Sequence, residues 1–114
     1  MDVQITARHF KARPELVEFA EEAVGRLSNI YDGIVNAKII LEIEAHNEGK
    51  IAEIILLVYH DQLFAKESGD DFEKCISTCI DKLERQLQKY KEKHHNVRGA
   101  REPNEVVLPD EEEL

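Results

Sequence analysis

The chain has no tryptophan, one methionine, two cysteines, three prolines and five glycines in 114 residues, and only 6% of it is aromatic. The two cysteines, Cys75 and Cys79, stand four apart within one helical pattern. Neighbouring helical turns hold such a pair badly for a disulfide. This points to a reducing, cytoplasmic setting. No cysteine cluster has zinc-site spacing. The glycines never gather into a phosphate-cradling loop, and neither a nucleophile motif nor a paired-carboxylate signature appears. The sequence therefore gives no footing for an enzyme, a metal or a cofactor. No apolar run approaches the roughly 20 residues that span a bilayer, so no membrane segment is expected. The start, MDVQITARHF, has neither a basic nor an apolar targeting region. No internal repeat is visible.

Positive charge is also scarce: 15 Lys and Arg stand against 24 Asp and Glu, a formal net charge of -9. The imbalance is uneven. Residues 1–99 hold 14 basic and 18 acidic residues, whereas residues 100–114 hold 1 and 6. An acidic total argues against a nucleic-acid partner only when the charge is spread evenly. The stretch CISTCIDKLERQLQKYKEKHH instead concentrates Lys82, Arg85, Lys89, Lys91 and Lys93 on one predicted helix.

Periodicity supplies the elements. VQIT alternates and predicts a strand over about residues 2–8. Pro14 suits a first helical position. Leu16, Phe19, Ala20, Ala23, Leu27 and Ile30 then recur at helical spacing, predicting a helix over about 14–31 that ends at Asp32-Gly33. NAKIILEIEAH alternates Ala37, Ile39, Leu41, Ile43 and Ala45 against Lys38, Ile40, Glu42 and Glu44, the mark of a strand with one buried face. A turn at Asn47–Gly49 leads to a second long strand, IAEIILLVYH. Asp61-Gln62 then introduces a shorter strand, LFAKES. Gly69-Asp70-Asp71 closes it and caps a helix from about Asp71 to His95. The order β-α-β-β-β-α predicts an α+β fold, a four-stranded sheet with two helices on one face. The domain is expected over 1–96, and an acidic, flexible tail over 97–114. That tail contains an apolar triplet, Val106, Val107 and Leu108, which reads as part of a solvated terminus or as a short docking segment.

On the second helix, Phe72, Ile76, Cys79, Ile80, Leu83, Leu87 and Tyr90 form a core stripe. Lys74, Thr78, Lys82, Arg85, Lys89 and Lys93 fall in a sector of roughly 100° on the other side. At ~1.5 Å per residue this ridge is about 28 Å long. It suits successive phosphates, with Arg as a planar fork and Lys as a point charge. It equally suits a solvated face with partners such as Asp81–Arg85, and late cations also favour the helix dipole. Charge pattern alone leaves the two readings open. Cys75 and Cys79 read as small apolar fillers more readily than as a metal or redox pair, and His94-His95 as a solvated helix end.

The segments ITARHF, PELVEFAEEAVGRL, IILEIEAH, GDDFEKCI and above all IDKLERQLQKYKEK resemble the ribosome hibernation-promoting factor family, also known as the ribosome-associated inhibitor A or protein Y family. The resemblance covers about residues 1–95. It implies a fold like a double-stranded-RNA-binding domain and a non-enzymatic role. Such proteins bind the small ribosomal subunit and its rRNA, fill the path of messenger and transfer RNA, and silence translation in stationary or stressed cells. By position, Lys82, Arg85 and Lys89 match the family's basic residues; Gln86 lies in the same motif, and Lys93 and Lys74 extend the ridge. Arg26 matches a cation of the first helix, and Arg8 a basic residue ending the first strand.

The match has departures. Glu73 stands where an aromatic is usual, and Arg13 replaces a Thr before Pro14, removing a hydroxyl cap. Ile40, Ile55, Leu57 and Phe64 give the open sheet face more apolar character than relatives have, which leaves weak self-association as an expectation. The extra domain by which long relatives pair ribosomes is expected to be absent, and on that expectation the resemblance favours the inhibitor-like type that acts on single ribosomes.

Overall fold

The computed structural model describes the backbone of residues 1–100 and the side chains of residues 1–93. Strand β1 (Asp2–Arg8) is followed by helix α1 (Pro14–Gly25) and a 3-10 turn (Arg26–Asn29). Strands β2 (Ile34–Ile43), β3 (Lys50–Val58) and β4 (Asp61–Gly69) come next, and helix α2 (Phe72–Ala100) closes the order. The sheet runs β1-β2-β3-β4. β1 lies parallel to β2, as a helical crossover allows, and the other pairs are antiparallel, joined by short turns. The α+β class and the element order expected from periodicity are both present.

Alternation decides the faces. Ala37, Ile39 and Leu41 of β2 and Ala52, Ile54 and Leu56 of β3 are fully buried toward the helices. Ile76, Cys79, Leu83 and Leu87 of α2 meet them with no exposed surface. Each such Leu or Ile contributes about 1.5–3 kcal/mol relative to an exposed position. Phe10 stacks on Phe72 with ring centroids 4.8 Å apart, and Tyr31 meets Tyr90 edge-on at 5.3 Å. α2 starts where Asp71 accepts the Glu73 amide at 2.9 Å, the expected acidic cap. α1 starts without any side-chain cap at Arg13, and Pro14 supplies its first turn.

Several boundaries move. α1 stops at Gly25 rather than near residue 31, because the Ser28 hydroxyl donates to the Gly25 carbonyl at 2.7 Å and the chain tightens into the 3-10 turn. Leu27 still reaches the core, fully buried. The β3–β4 turn is Tyr59-His60, and Asp61 already pairs with Val58. His60 adopts φ 66° there, a conformation that its residue type does not advertise. α2 continues past the expected boundary at 96 to Ala100. The rest of the expected tail, residues 101–114, lies outside the described residues, as do the side chains of His94 and His95.

The cysteines fill space against β3. The Cys79 thiol donates weakly to the Ala52 carbonyl at 3.5 Å, and Cys75 points to that of Lys50 at 3.8 Å. Burial, reinforced by the Glu67 carboxylate, pushes the Cys79 thiol up to about 12. Burial, with the Tyr31 hydroxyl bond second, pushes the Tyr90 phenol up to about 12 as well. Unfolded, these groups ionise from ordinary values of 9.0 and 10.0. The unfolded chain then binds fewer protons than the folded one, so stability is full below about pH 9 and declines as pH rises toward about 12. Urea midpoints should accordingly fall between about pH 8 and about pH 10.5, and a Cys79→Ala, Tyr90→Phe chain should show a flatter decline.

Candidate nucleic-acid interface

α2 has two unlike flanks beside its core stripe. One leans over β4, the edge strand. There the Lys82 ammonium pairs with the Glu67 carboxylate of β4. One turn on, Gln86 uses both ends of its amide on the backbone of Phe64: its Nε2 donates to the carbonyl at 2.8 Å, and its Oε1 accepts the amide at 3.3 Å. The Tyr90 hydroxyl then donates to the Tyr59 carbonyl at the β3–β4 turn. Three consecutive turns of α2 are thereby fixed along β4.

This anchoring sets the azimuth of the cations. Lys74, Lys82, Arg85, Lys89 and Lys93 are all exposed. They flank the core stripe on the β4 side rather than standing diametrically opposite it, since Lys82 touches β4 directly. Glu73 and Glu84 project from other parts of the surface, Asp81 flanks the ridge, and the exposed Glu92 intrudes at its edge beside Lys89 and Lys93. Among the described residues, Arg85, Lys89 and Lys93 enter no salt bridge, and the pairing of Asp81 with Arg85 that a solvated face would use is not made. Lys82 keeps 47% of its side chain exposed despite Glu67.

Not every expected residue joins it. Arg8 ends β1, three strands away from β4, and faces the open side of the sheet, where its guanidinium lies 3.9 Å from Glu42. His9, at φ 69°, approaches the same carboxylate at 3.7 Å. Arg26 is exposed at the start of the 3-10 turn, in the helical layer but off α2. Gln86 is spent on Phe64 and acts as a strut. Sequence spacing alone did not show the edge of β4 as its partner. A Gln86→Leu chain should lose about 1–2 kcal/mol, two hydrogen bonds to an exposed edge. The Phe64 amide should then exchange with deuterium faster, while the amides at the centre of β3 keep their rates.

A mixed four-stranded sheet backed by one helical layer, with a cationic helix laid along its edge strand, defines the class: a β-α-β-β-β-α domain of the α+β kind. A profile of the family described as Sigma 54 modulation protein / S30EA ribosomal protein matches residues 3–95, and the chain belongs to that family. A ribosome hibernation promoting factor of Klebsiella oxytoca is 31% identical over 93 residues, covering 82% of this chain and 96% of its own length. One of Pseudomonas putida is 28% identical over 97 residues, covering 85% and 93%. Among solved structures, a ribosomal subunit interface protein from Coxiella burnetii superposes with a TM-score of 0.74 at 31% identity, covering 82% of this chain and all of that one.

Proposed function

We infer that this chain is a non-catalytic ribosome-binding inhibitor of translation in the cytoplasm. It docks on the small subunit with rRNA phosphates along the α2 ridge, and its compact body occupies space that messenger and transfer RNA need. The relatives named as hibernation promoting factors support this role. The observation that supports the site is the run of exposed cations at Arg85, Lys89 and Lys93, which enter no salt bridge among the described residues. Lys82 and Lys74 extend the run. Arg26 contributes from the helical layer, and Arg8 stands apart as a peripheral contact. Gln86 acts by holding the ridge in place. Among the described residues no helix is long and apolar enough to cross a membrane.

Purified small subunits, pelleted with the chain at increasing potassium chloride, test the reading. Neutralised phosphates release counterions, so the logarithm of affinity should fall linearly with the logarithm of salt, with a slope near -3 if about four phosphates are met. Inhibition of cell-free translation should track occupancy. Salt-independent pelleting, or none at low salt, overturns it. Self-association through Ile40, Ile55 and Leu57 belongs to this reading only as a weak contact, because the open face offers a small apolar area.

A further inference from the structure

The face of the sheet turned away from the helices carries an apolar patch that the proposed ribosome contact does not use. Phe64 is 46% exposed and Leu57 39% exposed, with Ile40 and Ile55 half-buried beside them. Register places Lys38 next to Ile55 and Ile55 next to Phe64 in one row across three strands. Lys66 follows Phe64 on the same face, and Glu53 sits between Lys66 and Ile40. The patch spans two strand spacings of ~4.8 Å and about one residue pair along the strands, on the order of 200–300 Å². A stable pair of chains buries about 800 Å² per partner. The patch is too small for that and large enough for a few side chains of a tethered segment, which acts at a local concentration on the order of millimolar.

The chain contains one such segment. Residues 105–113 read EVVLPDEEE, an apolar triplet followed by four carboxylates. The order matches the face, where the apolar patch near the β3–β4 turn is followed along β4 by Lys66 and flanked on β2 by Lys38, level with Ile55. The origin matches as well. α2 is pinned to that same turn by Tyr90 and continues to Ala100, about 15 Å further. Six links from Ala100 to Val106 reach on the order of 21 Å, enough to return to the turn, and two more residues carry Leu108 onto the face.

We propose that the C-terminal segment of this chain folds back onto the open sheet face, Val106, Val107 and Leu108 covering Leu57, Ile55 and Phe64, with the acidic run beside Lys38 and Lys66. The segment masks the apolar patch when the protein is free. It leaves the α2 ridge uncovered on the other side of the domain, so the proposal stands whether or not the ribosome reading holds.

Paramagnetic broadening tests it on the full chain without ribosomes. Cys75 and Cys79 are buried, so a nitroxide goes to an introduced thiol in a Pro109→Cys chain. The expected result is broadening of the amides at 55–57 and 62–66 that disappears when Val106, Val107 and Leu108 are all changed to Asp. Broadening centred on Lys82, Arg85 and Lys89 places the tail on the ridge and overturns the proposal, as does broadening nowhere in the sheet. Mixing spin-labelled chain with isotope-labelled, unlabelled-spin chain gives the last arm. Broadening at 55–66 in that mixture makes the occupant a second copy, and the proposal falls.

Discussion

A chain carrying Lys82→Gln, Arg85→Glu and Lys89→Glu should fold normally and no longer bind the small subunit. Three charge-assisted phosphate contacts at about 1.5 kcal/mol each amount to about a thousandfold in affinity. The salt slope should also become shallower by about 2, because fewer counterions are released. Gln rather than Glu is the right replacement at position 82. A carboxylate there would face Glu67, the present partner of Lys82, and the loss of binding would be mixed with like-charge repulsion inside the fold. The comparison that isolates the ridge is Lys91→Glu, an exposed cation on the other flank of α2, which should weaken binding only slightly. Circular dichroism and the melting midpoint of the triple variant should stay close to those of the unmodified chain. Retained pelleting at moderate salt would show that rRNA meets some other surface.

The largest effect on stability is expected from Leu83→Ala. Leu83 has no exposed surface and belongs to the same buried cluster as Leu87, Ile76 and Ile54. Removing its three outer carbons loses their transfer energy and leaves a cavity that helix and sheet, already in register, close only in part. The cost should be about 3 kcal/mol. That is a large share of the roughly 5–15 kcal/mol that separates folded from unfolded chains. The melting midpoint should drop by about 10–20 °C, with the dependence on urea concentration unchanged. Because the ridge stays outside the cavity, binding to the small subunit at low temperature should survive. A drop of only a few degrees would mean that α2 is held chiefly by its polar struts to β4 rather than by its apolar stripe.

The strands and helices were legible because their periods differ. Ala37, Ile39 and Leu41 alternate, Ile76, Leu83 and Leu87 recur by helical turns, and each set is buried as its period requires. The cationic ridge was legible for the same reason, since spacing fixes azimuth on a helix. Contacts between elements were not. Nothing in the sequence says that Lys82 faces a carboxylate 15 residues earlier, or that the amide of Gln86 belongs to Phe64. Arg8 enters the expected site through the family resemblance alone, and strand order, which the sequence does not report, puts it on β1 at the edge of the sheet far from β4. The β3–β4 turn was misplaced by two residues because His60 takes a left-handed conformation usually signalled by Gly or Asn. α1 ended early through a local hydroxyl bond that competes with the helix.

The amide of Gln86 has one more consequence. A sheet lengthens into a fibre only if strands can be added at both of its ends, and here one end is plugged by a side chain that imitates a neighbouring strand. Stacking through β1 would therefore stop at two molecules. The Gln86→Leu chain would lose that stopper and leave β4 open to a further strand.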